Sequence, residues 1–404
     1  MGNGAQPKRG EVKTMESAVD WIWMQRALGI GSSKVKQVLS CFGDAFSFCR
    51  AGEREWRLCG LFSPRDLDRI QQTSCREAEQ IYVHCREVGQ WVLPYSSPDY
   101  PQLLRELDNP PCVLYGKGSF PDFSRYLSIA IVGTRSATPY GISAAEDLSF
   151  GLAKTGVIVV SGGALGIDSA AHKGALRAGG ITVAVLACGI NSSYLQENAS
   201  LRHAISQNGS LVSEYPPDTP AASWQFPVRN RIISGLAKGT VVIEAGVKSG
   251  SLITAHLALE QGRDVFAVPG NVSSSVSCGS NRLIQNGAKM VTCMGDILEE
   301  YGVSSLEEIP FSFHSPGNMR ETEDCCENAS SPKMETQVKE KRIPVGLSPL
   351  GEALYGALSL EPCHIDLLAK RAGLSARQAL QALTELEMEN QVEIFPGRRY
   401  AIKS

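Results

Sequence analysis

The sequence predicts an α/β protein with a Rossmann-like, doubly wound, mostly parallel sheet. Short apolar runs rich in β-branched residues recur across residues 129–292, and Gly, Pro or Ser bounds each of them. Amphipathic segments of helix length, such as 141–154 and 168–178, lie between the runs. Strands that alternate with helices indicate a parallel sheet, and such sheets bind ligands beyond the carboxyl ends of their strands. The predicted strands are 129–132, 157–160, 182–186, 211–213, 241–244, 265–268 and 290–292.

A helical domain is expected before this region. Residues 1–14 are polar and predicted to be disordered, and 15–78 show the pattern of a small helix-hairpin-helix or SAM-like domain. Its first helix has apolar residues spaced for one buried face: Val19, Ile22, Met24 and Leu28. The turn from Gly29 to Gly31, followed by Lys34, could offer N–H groups and a cation to a phosphate. The alternative is a plain turn between packed helices.

Three further segments complete the predicted organisation. The Rossmann-like core spans 79–302, and short strands at 92–94 and 113–115 are expected to add an edge to its sheet. Residues 303–344, rich in Ser, Pro, Glu and Lys, read as a flexible linker. Residues 345–404 predict a winged helix, with helices near 350–358, 364–371 and 376–389, the last capped by Ser375, and a hairpin over 392–402. Its acidic residues slightly outnumber its basic ones, whereas DNA-binding modules are usually basic. The winged helix is therefore expected to bind a protein partner at least as readily as DNA.

Composition narrows the class of protein. The net charge is −3 and 20% of residues are charged, so no global basic field indicates nucleic acid, although a local basic groove is compatible with it. The 12 cysteines form no CxxC pair and no Cys/His cluster at metal spacing. We therefore expect reduced thiols, no metal and a cytoplasmic location. No apolar run approaches the roughly 18 residues of a membrane helix, and no secretion signal is evident.

The candidate ligand-binding residues follow the predicted strands. They are the loops Gly133-Thr134-Arg135-Ser136, Ser161-Gly162-Gly163 and Lys248-Ser249-Gly250-Ser251, and the patch Phe226-Pro227-Val228-Arg229-Asn230-Arg231. Free N–H groups, hydroxyls, guanidinium groups and helix N-termini all suit phosphates, and several such loops on one edge suggest a chain of phosphates. Arg229 and Arg231 point about 200° apart on a helix, so one should face the ligand and the other support the fold. Phe226 could stack on a base or pack in the core.

A hydrolase is an alternative, because Ser161, Asp168 and His172 lie close in sequence. No G-x-S-x-G motif accompanies them, and His172 is expected to pair with Asp168 on one helix face.

Taken together, these motifs resemble the DNA-processing protein A family, DprA/Smf. The residues that carry the resemblance are Gly133-Thr134-Arg135, Ser161-Gly162, Gly166-Ile167-Asp168, Ser213-Glu214-Tyr215-Pro216, Phe226-Pro227, Arg229-Asn230-Arg231, Ser249-Gly250-Ser251 with Thr254, and Phe266-Ala267-Val268-Pro269-Gly270. The resemblance implies a homodimer that binds single-stranded DNA and loads the RecA recombinase during natural transformation, with no metal, cofactor or catalytic residue.

The same resemblance implies a set of DNA-binding residues. They are Gly133, Thr134, Arg135, Ser161, Gly162, Gly163, Phe226, Arg229, Asn230, Arg231, Lys248, Ser249, Gly250 and Ser251. The chain departs from the family pattern at Leu165, at Leu195-Gln196 and at Gln225. The first departure could lower affinity slightly.

Two other functions are weighed against this one. The first is a nucleotide-processing enzyme that resembles the lysine-decarboxylase-like phosphoribohydrolases, whose signature is P-G-G-x-G-T-x-x-E. Thr254 stands where their catalytic glutamate would be, and no general base is evident. The second is a scaffold in which the winged helix makes the main contact with a partner.

Overall fold

The computed structural model describes residues 9–194, 196–303, 348–358, 363–389, 391–395 and 399–402. These residues divide into two compact units, one up to residue 303 and one from residue 348 onward. The segments predicted as a disordered N-terminus and as a linker lie outside the described residues at 1–8 and 304–344. Among the described helices, none is long and apolar enough to span a bilayer.

Helices make up the first part of the larger unit. They are α1 (Arg9–Leu28), α2 (Val35–Phe42), α3 (Ala45–Arg50), α4 (Glu53–Leu58), α5 (Pro64–Gln72) and α6 (Cys75–Glu87). α1 begins at Arg9 rather than Met15, and its predicted apolar face is buried in a core with α3, α5 and α6. α6 runs through the boundary expected after residue 78, because it packs against α1.

A nine-stranded sheet forms the centre of this unit. Its strands are β1 (Trp91–Pro94), β2 (Val113–Gly118), β3 (Ser128–Val132), β4 (Ile158–Ser161), β5 (Thr182–Leu186), β6 (Gly209–Ser213), β7 (Gly239–Val242), β8 (Asp264–Ala267) and β9 (Lys289–Met290). The order is β1-β2-β6-β5-β4-β3-β7-β8-β9, and β3 to β9 pair in parallel. β1 and β2 add an antiparallel edge, as the sequence predicts.

Helices cover both faces of the sheet. They are α7 (Gln102–Arg105), α8 (Pro139–Lys154), α9 (Ile167–Arg177), α10 (Ala199–Asn208), α11 (Gln225–Gly235), α12 (Gly250–Glu260), α13 (Cys278–Gln285) and α14 (Met294–Glu300). Alternate residues of β3 enter two separate cores. One core includes Ile232 of α11 and Ala255 of α12, and the other includes Leu148 of α8 and Ala171 of α9. The predicted doubly wound fold is confirmed.

The largest of the shifts in the parallel strands towards earlier residues is that of β7. β7 ends at Val242, where its pairing with β3 and β8 stops, whereas the prediction extended it to Glu244. Glu244 instead leaves the ladder and accepts hydrogen bonds at the start of α8, from Thr138 N (2.9 Å) and from Thr138 Oγ1 (2.5 Å). A buried carboxylate at a helix N-terminus is favourable, so this residue orders the helix that follows β3.

The smaller unit is a winged helix. Its elements are α15 (Pro349–Ala357), β10 (Cys363–His364), α16 (Ile365–Ala372), α17 (Ala376–Met388), β11 (Val392–Phe395) and β12 (Arg399–Ile402). Leu354, Leu368 and Leu383 form its core, and the Ser375 hydroxyl caps α17 as predicted. β10 pairs with β12 and was not predicted, because a strand of two residues is too short to show a period in the sequence.

Candidate nucleic-acid interface

A cavity lies where the order of the parallel strands reverses. The chain runs from β3 through β4 and β5 to β6 on one side and then returns to place β7 on the other side of β3. Just beyond the carboxyl end of β3 there is a cavity of about 250 Å³. Such a switch point is where doubly wound sheets bind ligands. The predicted residues that line the cavity are Gly133, Arg135, Phe226, Arg229, Asn230, Ser249, Gly250 and Ser251.

Arg135 and the Phe226 ring form the mouth of the cavity. Arg135 is exposed, and its guanidinium carbon lies 4.9 Å from the centre of the Phe226 ring. Tyr194 lies beside the same ring, with centroids 5.4 Å apart. A guanidinium held against an aromatic face keeps its N–H groups available to an anion. The mouth therefore offers one cation and a ring surface.

Arg229 lies at the floor of the cavity. It is 5% exposed, and its Nη1 donates to the carbonyl oxygen of Gly162 at 2.7 Å and to that of Val185. Burial lowers the pKa of Arg229 to about 10, an effect that the nearby carboxylate of Asp168 opposes, so the group stays charged at pH 7. Burial likewise raises the pKa of Asp168, against the opposing charge of Arg229. Arg229 thus joins the β4 and β5 ends and supplies positive charge from below.

Gly162 is required for this arrangement. A Cβ at this position would lie 2.7 Å from Asp168 Oδ2 and 2.8 Å from Arg229 Nη2. Any side chain would displace one of these two buried groups. Glycine is needed at this position because it lets the loop lie close to Asp168 and Arg229, not because the backbone angles are unusual.

The N-terminus of α12 forms one wall. The Ser249 hydroxyl accepts from Ser251 N at 3.4 Å and lies 2.7 Å from the Ser251 hydroxyl. Asn230 Nδ2 donates to the Gly250 carbonyl oxygen at 3.4 Å, which ties α11 to this wall. The positive end of an 11-residue helix favours a negative ligand. Lys248 is exposed on the adjoining loop and does not line the cavity.

Three predicted residues shape the surrounding loops. Ser161 is buried and donates to the Ile131 carbonyl oxygen at 2.6 Å. Thr134 uses its backbone, donating its N–H to the Glu244 carbonyl oxygen at 2.7 Å. Gly163 is buried with φ +65°, and its carbonyl oxygen accepts from Asn198 Nδ2 at 3.2 Å. These groups form hydrogen bonds within the protein, and they hold the loops that carry the residues lining the cavity.

Arg231 points away from the cavity, into a buried ion pair. Its Nη2 lies 2.7 Å and 2.6 Å from the two carboxylate oxygens of Glu214, and both side chains are at most 4% exposed. The helical spacing of Arg229 and Arg231 predicts that one of them supports the fold. Arg231 has that role and Arg229 faces the cavity.

The glycine hairpin of the N-terminal helices packs on this ion pair. The N–H of Gly31 donates to Glu214 Oε1 at 3.4 Å, and a Cβ on Gly31 would lie 2.9 Å from Val228 Cγ1. Lys34 pairs with Asp66 at 2.5 Å, and this contact lowers the pKa of Asp66. Because both groups serve contacts within the protein, the structure favours the packing interpretation of the hairpin over phosphate binding.

The expected pairing of His172 with Asp168 is wrong. His172 is fully buried, and its Nδ1 lies 2.7 Å from the Thr182 hydroxyl, which itself donates to the Val159 carbonyl oxygen. Burial lowers the pKa of His172 to about 3, so the ring is neutral. With Ser161 bonded to a backbone carbonyl, these residues do not form a nucleophile and base pair.

Two residues near the cavity have roles that the motifs did not reveal. Tyr194 contacts Phe226 from a loop without a recognisable motif, and no pattern in the sequence places it there. Gln225, one of the departures from the family pattern, is buried and accepts from Ala222 N at 2.5 Å, so it orders the start of α11. Among the described residues, no cluster of His, Cys, Asp or Glu could hold a metal ion.

Comparison with known proteins identifies the family. The family model for DNA recombination-mediator protein A matches residues 91–302, and the model for the DprA winged helix domain matches 338–398. The chain belongs to the DprA/Smf family. The first DprA/Smf match spans the sheet and the cavity together.

Individual DprA/Smf proteins agree with this assignment. The chain is 50% identical over 269 residues to a putative DNA processing protein DprA of Mycobacterium tuberculosis, covering 67% of this chain and 63% of that protein. It is 34% identical over 397 residues to Protein Smf of Synechocystis, covering 94% and 97%. The X-ray structure of DprA from Streptococcus pneumoniae matches with a TM-score of 0.58 and 30% identity, covering 73% and 98%.

Proposed function

We propose that this chain binds the phosphate backbone of single-stranded DNA at the switch-point cavity and loads RecA onto it in DNA uptake and recombination. It acts as a cytoplasmic homodimer and as a binding protein rather than an enzyme. The observation that supports this most is the convergence of Arg135, Arg229 and the N-terminus of α12 on one cavity. All three groups favour binding of an anion. Membership of the DprA/Smf family supports the proposal that this anion is a phosphate group of DNA.

The size of the cavity favours one unit of a polymer. At about 250 Å³, it is smaller than the roughly 300–1,000 Å³ of sites that enclose a whole small molecule. A phosphate with its sugar fits such a space, while neighbouring nucleotides continue over the surface. Phe226 at the mouth, and Tyr194 beside it, are aromatic rings of the kind on which unpaired bases stack. Stacking needs bases free of a partner strand, so we propose a preference for single strands.

The nucleotide-processing enzyme remains the alternative. It needs a general base near the bound sugar. Asp168 lines the cavity, but its buried carboxylate accepts from Ala164 N at 3.4 Å. Asp168 faces the positive charge of Arg229, and His172 is fully buried against Thr182. Incubation with nucleoside monophosphates tests this alternative, and release of free base above the rate without protein would support it.

Binding to a labelled poly-dT strand of about 50 nucleotides tests the proposed function. Fluorescence anisotropy should show affinity that falls at least about tenfold between roughly 50 and 200 mM salt, because counterions are released from the neutralised phosphates. A duplex of equal length should bind much more weakly. Equal affinity for both forms, or no binding at low salt, would contradict the proposal.

Replacing Arg135 with alanine should weaken strand binding without harming the fold. Arg135 is exposed and makes its described contact with Phe226, so its loss removes about one phosphate contact. We expect about a tenfold loss of affinity for all sequences and a shallower salt dependence. Arg135→Lys is the matched control: it keeps the charge but loses the planar contact, and should fall between wild type and alanine. An unchanged salt slope in R135A would exclude Arg135 from the phosphate path.

The winged helix is proposed to contact a partner rather than the strand. A chain that ends before residue 345 should therefore retain strand binding in the same anisotropy assay. Its ability to stimulate RecA filament formation should decline. Loss of strand binding in the shortened chain would show that the winged helix contributes directly to the DNA site.

A further inference from the structure

Two cysteine thiols lie together among the N-terminal helices, and neither residue lines the cavity. The Sγ atoms of Cys49 in α3 and Cys75, the first residue of α6, are 3.6 Å apart. None of the described cysteines is in a disulfide, so both thiols are free. The fold brings them together from separate helices, because α1 packs against both α3 and α6.

The two thiols differ in their surroundings. Cys75 is exposed at the first position of a 13-residue helix, where solution reagents reach it. Cys49 is half-buried, and its burial and the neighbouring sulfur raise its pKa to about 12. An accessible thiol beside a shielded one matches the division between an attacking and a resolving cysteine.

We propose that Cys49 and Cys75 form a redox-responsive dithiol that a low-molecular-weight disulfide converts into an intramolecular disulfide. The Cys75 thiolate attacks one sulfur of the small disulfide, whose S–S bond breaks and releases one half as a thiol. Cys49 then loses its proton and attacks Sγ of Cys75, which breaks the mixed disulfide and releases the second half. The two protein thiols are oxidised, the small disulfide is reduced to two thiols, and these thiols carry away both protons.

The geometry suits this reaction. The sulfur atoms need to approach from 3.6 Å to about 2.05 Å. The new bond would join α3 to α6 and close a loop that includes α4 and α5. Closing a loop restricts the unfolded chain, so the oxidised protein should melt at a higher temperature than the reduced protein.

Peptide mapping of the full chain tests the proposal. The reduced protein is incubated with oxidised glutathione, the remaining thiols are alkylated, and a digest is analysed without reduction. We expect a cross-linked peptide pair that contains Cys49 and Cys75, and its loss on addition of dithiothreitol. The Tm of the oxidised protein should rise by several degrees. Glutathione attached to exposed Cys41 and Cys278 with no Cys49–Cys75 peptide would overturn the proposal.

Two serine variants separate the roles of the thiols. C49S should stop at the mixed disulfide, with glutathione held on Cys75 and no rise in Tm. C75S should form neither product at this site, whereas C41S, which alters an exposed cysteine outside the pair, should behave like wild type. The same cross-link yield in C41S and wild type supports the pair, and a Tm rise in oxidised C75S equal to that of wild type contradicts it.

Discussion

Replacing Gly250 with glutamate should reduce single-strand affinity by about tenfold to a hundredfold while leaving the fold intact. Gly250 lines the cavity at the first position of α12, and a Cβ there would meet no atom within 4 Å. The new carboxylate would lie at a helix N-terminus, where negative charge is stabilising. The same charge would repel a bound phosphate by about 1–3 kcal/mol at the distances of this cavity.

The combination of an unchanged fold and lost binding makes this variant informative. Thermal melting should give a Tm equal to or slightly above that of wild type, and anisotropy with a dT strand should give the loss in affinity. Gly356→Glu is a matched control, because Gly356 is also open to solvent but lies in α15 of the winged helix. G356E should bind the strand like wild type. Equal binding by G250E and wild type would place the DNA outside the cavity.

Replacing Arg231 with alanine should destabilise the larger unit by about 3–5 kcal/mol. Glu214 would then keep a buried negative charge. Of its described hydrogen-bond partners, the Gly31 N–H at 3.4 Å would remain. Removing one member of a buried ion pair leaves the other charge uncompensated in a medium of low dielectric constant. Because Gly31 belongs to the hairpin, the loss should also loosen the contact between the N-terminal helices and α11.

Urea unfolding at pH 7 measures this effect. The double variant Arg231→Met with Glu214→Gln removes both charges, and should lose less stability than the sum of the two single variants. Arg177→Ala is the control for an exposed pair, since Arg177 is 52% exposed beside Glu146 and Asp147, and should cost at most about 1 kcal/mol. A loss in R231A as small as that in R177A would contradict a structural role for the ion pair.

The fold was predictable where one local pattern determined each element. β3 and β5 are fully buried, and four consecutive apolar residues in each strand mark them in the sequence. β9 and β10 are two residues long, and β7 ends where Glu244 turns to cap α8, an interaction between residues more than one hundred positions apart. Such elements are determined by tertiary pairing, which a local pattern does not contain.

The sequence allowed us to predict many of the residues at the site, but not which of them line the cavity and which support the fold. Helix geometry predicts that Arg229 and Arg231 point in different directions. Which of them faces the cavity depends on Glu214, the residue after β6, with which Arg231 pairs. Ser161 and Thr134 belong to the right loops and yet direct their polar groups into the protein. Tyr194 lies in a loop without a recognisable motif, and only the folded structure shows that it contacts Phe226.

Photocrosslinking is the most direct test of whether single-stranded DNA binds at the switch-point cavity, because it locates the strand on the protein without any amino-acid substitution. A dT strand that carries 4-thiothymidine is irradiated with the full chain at low salt, and the crosslinked peptides are sequenced. Binding at the switch-point cavity predicts crosslinks at Phe226, which lines the cavity, and at Tyr194, whose ring contacts Phe226. Both crosslinks should disappear in the presence of excess unlabelled strand. Crosslinks confined to residues 348–402, or to the helices before β1, would contradict it.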